Sequence, residues 1–267
     1  MKGDIMIYTV KRIEEDVDYG CEERPEDVPV MAVVTLTNSL GEELVIKAED
    51  AMLYECNINE GDKVSIDANN KLEKATRRDR MRNLMILFPG IGYHCDKPIL
   101  YYGKKIAVMN GYTDCISLSY SYDGKNLRGN TAEMEKAFNS LYEQAEKQLN
   151  GVEFNQYDEI LFVSKSIGTV IAAAYARKYS IECRMIFYTP LAQTYSYDVE
   201  EGIAFIGMKD PWSDVDEVIH ASRKQRIPIY VYEDANHSLE TGQVIQDLDI
   251  LKDVMIKTNN YLSVEKH

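Results

Sequence analysis

A serine, an aspartate and a histidine stand in this chain where three apolar runs break off into turns. The segment 159–168, EILFVSKSIG, ends in a turn of small residues with Ser166 at its apex, and the helix-forming stretch TVIAAAYARKY follows at once. Strand, sharp turn and helix in that order lift a serine hydroxyl off the end of a sheet. The N-terminus of the following helix then offers backbone N–H groups to a developing oxyanion. In 205–214, FIGMKDPWSD, an apolar run ends at Gly207, and Asp210 lies just past it, ahead of a proline and a predicted helix. In 229–240, IYVYEDANHSLE, a third run enters a polar loop that holds His237.

These residue types suit nucleophilic catalysis. A serine hydroxyl is a poor nucleophile at neutral pH until a neutral imidazole takes its proton, and the imidazole needs a carboxylate to fix its tautomer and stabilise its cation. Ser166, Asp210 and His237 come in the order nucleophile, acid, base, each at the C-terminal end of a predicted strand. In a parallel sheet those ends share one edge, so residues distant in sequence converge there. Plainer uses compete with this reading. Ser-x-Ser-x-Gly also occurs in ordinary strand-to-helix turns, and an aspartate before a proline is a good helix cap. Asp214 and Asp216 lie close enough to leave the identity of the acid open. Of the other histidines, His220 falls inside a predicted helix and His267 is the final residue, which leaves His237 as the base by position.

With these three segments in order, residues 80–267 resemble the α/β-hydrolase superfamily. The segment LMILFPGIGY from residue 84 is similar to that family's early strand and oxyanion loop, with Pro89-Gly90-Ile91 where His-Gly-x is commonest, and with His94 in the same loop. Ser164 likewise stands where the first glycine of the elbow is commonest. The resemblance implies an oxyanion hole made by the backbone N–H groups of Ile91 and Ile167.

From residue 84 onward strands alternate with helices, the pattern of a mainly parallel, doubly wound α/β sheet covered on both faces. The strand candidates are 84–88, 115–120, 160–163, 185–188, 203–206 and 229–232. A helix over 130–149 carries Met134, Phe138, Leu141, Ala145 and Leu149 at helical spacing, with Asn130 and Glu133 forming a capping-box-like start. The helix after Ser166 is rich in alanine, as a close approach to the sheet requires, and a last helix covers about 246–262. Residues 1–75 instead show short β-like runs, 5–10, 30–37, 43–47 and 63–67, with a turn at 38–41. They predict a small β-domain, barrel-like in pattern, joined by a linker, 76–83, to a catalytic domain, 84–267. The acidic stretch EEDVDYGCEERPEDVP reads as a solvated loop.

Charge and cysteine usage narrow the class. A net charge of −14 argues against nucleic acid and anionic membranes as partners. Arg77, Arg78, Arg80 and Arg82 read as part of a solvated linker rather than a phosphate site. The N-terminal residues lack the apolar core of a signal peptide, and no apolar run approaches membrane-spanning length. Five scattered cysteines without a C-x-x-C pair predict free thiols in a reducing, cytoplasmic compartment and neither a disulfide framework nor a zinc site. Cys95, close to the oxyanion loop, reads as a small half-buried residue.

The expectation is therefore an intracellular serine hydrolase that cleaves an ester, thioester or amide of a small molecule through an acyl-enzyme, with no metal or organic cofactor. The interval between Ser166 and Asp210 already holds a strand and leaves no room for a lid domain. Tyr93, Tyr120, Tyr122, Tyr195 and Tyr197 lie at predicted strand ends, where they would line an aromatic pocket or cover surface. Two other functions fit the same core: a non-catalytic binding protein, and an acyltransferase that passes the acyl group to an acceptor other than water.

Overall fold

The computed structural model describes residues 7–16, 29–38, 41–67, 71–75 and 82–264. The chain divides into two compact units, Met1–Met81 and Arg82–His267. In the first, alternating apolar residues put one face of an antiparallel sheet over a small core. Its strands are β1 (Ile7–Glu15), β2 (Met31–Thr37), β3 (Glu43–Glu49), β4 (Lys63–Ile66) and β5 (Leu72–Lys74), in the spatial order β3-β2-β1-β4-β5, and α1 (Asp50–Glu55) follows β3. Val10, Val34, Leu36, Leu53, Val64 and Leu72 form the core. The order ends at β3 and β5, with no pairing of these two edges among the described residues. β1 takes in Glu14 and Glu15, which the sequence assigns to the acidic loop; residues 17–28 of that loop lie outside the described residues. The predicted turn begins at Asn38, whose N–H donates to the Glu42 carbonyl at 3.0 Å, and Ser39 and Leu40 lie outside the described residues.

The second unit holds six parallel strands: β6 (Asn83–Phe88), β7 (Asp114–Ser117), β8 (Glu159–Lys165), β9 (Arg184–Tyr188), β10 (Gly202–Gly207) and β11 (Ile229–Tyr232). Their order is β11-β10-β9-β8-β6-β7. Every residue of β6 is buried, and its side chains alternate between two cores. Leu84, Ile86 and Phe88 enter one core, while Met85 and Leu87 enter the other. The first is closed by α3 (Thr131–Gln148), α4 (Ile167–Tyr179) and α5 (Val215–Lys224), the second by α2 (Pro98–Met109) and α6 (Val244–Ser263). This is the doubly wound sheet that the alternation of strands and helices predicts. Burial of each large apolar side chain contributes about 1.5–3 kcal/mol, so the two faces of the sheet supply most of the unit's stabilisation.

Strand order decides where a site can form. From β6 the chain moves outward to β7, then recrosses to place β8 on the other side of β6, and continues outward through β9, β10 and β11. The reversal lies between β6 and β8, and the crevice beyond the C-terminal ends of such a pair is where open α/β sheets bind ligands.

The predicted linker ends earlier than residue 83. Asn83 is buried and opens β6, while Arg82 is anchored rather than merely solvated. Its backbone N–H donates to the Asp158 carboxylate (2.8 Å), its Nε to Asp114 (3.1 Å) and its Nη1 to Gln156 (2.7 Å), and its guanidinium stands 4.7 Å over the Tyr157 ring. Arg82 thereby ties the start of β6 to the starts of β7 and β8. Arg77, Arg78 and Arg80 lie outside the described residues, as do Cys21 and His267.

Candidate active site

Ser166 links β8 to α4 with φ 57° and ψ −131°, a conformation that L residues rarely hold. It costs about 1–3 kcal/mol, which the surrounding packing must offset. Three contacts do so. A Cβ at Gly168 would stand 2.3 Å from the Phe88 carbonyl oxygen and 2.5 Å from that of Pro89, so only glycine lets α4 start this close to β6. Thr169 Oγ donates to the Ser166 carbonyl (2.7 Å) and lies 2.6 Å from Thr194 Oγ, which leaves Thr194 as the donor in that second bond. Ser164 is fully buried and its hydroxyl donates to the Ile186 carbonyl (3.0 Å) on β9, so a serine is satisfied where the elbow commonly carries glycine.

Asp210 follows β10 and His237 follows β11, and the sheet brings both to Ser166. His237 Nδ1 lies 2.7 Å from Asp210 Oδ2, and His237 Nε2 lies 2.7 Å from Ser166 Oγ. A carboxylate only accepts, so Nδ1 carries the imidazole proton and Nε2 is left to accept from the serine hydroxyl. The other Asp210 oxygen accepts from the Trp212 N–H at 2.9 Å. The Asp210 side chain is fully buried and that of His237 nearly so. Burial holds the His237 pKa below the ordinary imidazole value. The Lys165 ammonium acts in the same direction, and hydrogen bonding and attraction to Asp210 oppose both. Asp214 does different work: it is the N-cap of α5, accepting from the Glu217 N–H at 3.1 Å. Asp216 sits in the first turn of that helix.

The remaining candidates separate cleanly. His94 is exposed beside Asp96, and His220 lies within α5. The Cys95 thiol hydrogen-bonds the Leu118 carbonyl, and burial pushes its pKa up to about 11, the opposite of what a nucleophilic thiolate needs. Ile167 is the first residue of α4, where an N–H has no intrahelical acceptor. Ile91 lies in a tight turn closed by hydrogen bonds in both directions between Gly90 and Tyr93, each 3.2 Å. That turn packs against the elbow, since a Cβ at Gly90 would stand 3.2 Å from Ser166 Cβ.

The strand reversal, the strained serine at the β8–α4 junction, and an acid and a histidine following the next strands of the sheet belong to one architecture. The second unit has the α/β-hydrolase fold. Similar solved structures include an α/β serine hydrolase homologue from Coxiella burnetii (14% identity, covering 66% of this chain and 84% of that one, TM-score 0.48). An esterase from Pyrococcus furiosus is also similar (13%, 76% and 87%, TM-score 0.46), as is an α/β serine hydrolase without a lid from Xanthomonas campestris (12%, 91% and 100%, TM-score 0.45). No protein-family model matches the chain, and no curated protein does. The assignment of the α/β-hydrolase fold rests on the strand order and the elbow.

In this α/β-hydrolase unit a cleft of about 550 Å³ opens beside the elbow. Ile167 and Val170 of α4, Met134 and Phe138 of α3, Leu191 after β9 and Trp212 give it an apolar wall. The Trp212 ring lies 5.9 Å from that of His237, which joins the cleft to that imidazole. Glu135 lines the cleft, and among the described residues no lysine or arginine does. Of the five tyrosines at predicted strand ends, which were to line a pocket or cover surface, Tyr197 lines the cleft. Tyr195 is buried against Phe187, Tyr120 and Tyr122 pack on the first core, and the Tyr93 ring lies beneath the Lys165 ammonium. Sequence reasoning missed Trp212, Thr169 and Lys165. A lysine closing the largely apolar strand of 159–165 was the one signal that could have marked Lys165. Among the described residues no helix is long and apolar enough to cross a membrane.

Proposed function

We propose that this protein is a serine hydrolase that cleaves an ester, thioester or amide of a small, uncharged acyl substrate through an acyl-enzyme. The observation that carries the reading is the bridge of His237 between Ser166 and Asp210, with 2.7 Å on each side. Ser166 Oγ attacks the carbonyl carbon as His237 Nε2 takes its proton. The Ile91 and Ile167 N–H groups receive the oxyanion. His237 then protonates the leaving group, and a water activated by the same imidazole releases the acid. Asp210 orients the imidazole and stabilises its cation.

The apolar wall of the cleft supports an acyl or aryl group on the substrate, and a lining that includes Glu135 but no basic side chain disfavours an anionic one. The scattered cysteines support a reducing, cytoplasmic setting. The test is turnover of a series of neutral aryl esters of increasing acyl length, with product analysis in the presence of added alcohol. Release of free acid whose rate depends on acyl length is expected. Transfer to the alcohol as the main product would make the protein an acyltransferase. Saturable binding without turnover would make it a non-catalytic binding protein.

A further inference from the structure

Lys165 is a buried ionisable group that the proposed mechanism leaves unused. It ends β8, one residue before Ser166, and is 2% exposed. Lysines are almost never buried this far without a carboxylate partner, because taking an ammonium out of water is costly. Among the described residues the Lys165 Nζ instead donates to the backbone carbonyl of His237 at 3.0 Å and stands 4.6 Å over the Tyr93 ring. That ring is itself fixed, since the Tyr93 hydroxyl accepts from the Ile99 N–H at the start of α2 (3.2 Å). Beyond His237 the loop is held by its own turn, in which Asn236 Oδ1 accepts from the Ser238 N–H (2.7 Å). The carbonyl of His237 is held by Lys165.

We propose that Lys165 is a positioning residue: from the strand that presents the nucleophile, its ammonium grips the backbone of the base and keeps the imidazole in register with Ser166 and Asp210. This rests on the serine-hydrolase reading above. The groups facing the ammonium are Tyr93 after β6, Tyr188 beside it on β9, Asp210 after β10, and His237 and Glu240 after β11. Burial outweighs the attraction of Asp210 and Glu240 and pushes the Lys165 pKa down to about 8. Below that pH the group is charged, its hydrogen bond is charge-assisted, and its field disfavours a proton on His237. Above it the bond weakens and the imidazole loosens.

The test measures the rate of fluorophosphonate labelling against pH for the native chain, Lys165→Met and Tyr93→Leu. The native profile should show an acidic limb from His237 and an alkaline limb near pH 8. Lys165→Met, which fills the same space without charge, should lower the plateau about 10- to 100-fold, abolish the alkaline limb and move the acidic limb to higher pH. Tyr93→Leu leaves the lysine in place but removes the ring beneath it, so its alkaline limb should move to lower pH. A Lys165→Met profile with the native plateau and both limbs would overturn the proposal. So would an alkaline limb unmoved by Tyr93→Leu. An unlabelled native chain would instead overturn the serine-hydrolase reading, and the inference with it.

Discussion

The proton on Nδ1 of His237 is where the residues' chemistry meets the fold. Asp210, fully buried and held by the Trp212 N–H, can only accept a hydrogen bond from Nδ1–H, which leaves Nε2 as an acceptor facing Ser166. Asp210→Asn would let an amide donate to Nδ1 and select the wrong tautomer, which should cost on the order of a thousandfold or more in kcat. Asp214→Ala should leave kcat unchanged and lose a helix cap worth about 1 kcal/mol, seen as a Tm lower by roughly 2–4 °C. Equal activity losses in the two variants would contradict the assignment of the acid. Because the His237 pKa is depressed, the base becomes neutral at a lower pH than a free imidazole. The acidic limb of kcat/KM should therefore fall below pH 6.5, and activity should be lost as pH falls through it. A limb above that value would contradict the burial argument. At this scale the sequence marked Ser166 and His237, since each follows a distinct apolar run, and the structure brings the two within 2.7 Å. It left the choice between Asp210 and Asp214 open because both follow the same run; in the structure Asp210 meets His237 Nδ1, whereas Asp214 caps α5. Lys165 was illegible because a lysine entering a turn ordinarily points to water.

At the scale of elements, the elbow depends on how closely α4 approaches β6. Gly168→Ala would force a methyl group into the Phe88 and Pro89 carbonyl oxygens, and backbone cannot yield as a side chain does. A loss of about 1–3 kcal/mol in unfolding free energy is expected, together with loss of activity as Ser166 shifts; a variant with native Tm and native activity would contradict that packing. Strands and long helices were legible because two-sided burial writes itself as continuous apolar runs and α3 and α6 show helical spacing. Their ends moved by a few residues, as in β7, which stops at Ser117 rather than at Tyr120. The short elements α1 and β5 left no periodic signal. α2 was hidden for a different reason: Gly103 interrupts it, and the structure shows that a Cβ there would stand 2.9 Å from the Tyr188 hydroxyl, so the glycine serves packing rather than a turn.

For the molecule as a whole, the sheet of β1–β5 and the sheet of β6–β11 bury separate sets of side chains. Ser166, His237 and Asp210, which hydrogen bonds of 2.7 Å join, all come from the second. A chain beginning at Arg82 should therefore fold cooperatively and react with a serine-directed probe, checked by circular dichroism and labelling; an unfolded or unreactive fragment would show that the first unit is needed for the site. The sequence changes from short β-like runs to alternating strands and helices near residue 80, and the chain divides into compact units between Met81 and Arg82; substrate preference was not legible, because the cleft is assembled from α3, α4 and the segments after β9 and β10. The most direct test of the central claim is the intact mass of the full chain after treatment with a fluorophosphonate, beside Ser166→Ala and His237→Ala. One adduct per native chain, absent from Ser166→Ala and nearly absent from His237→Ala, is the predicted result. A well-folded native chain that gains no adduct would contradict an activated serine.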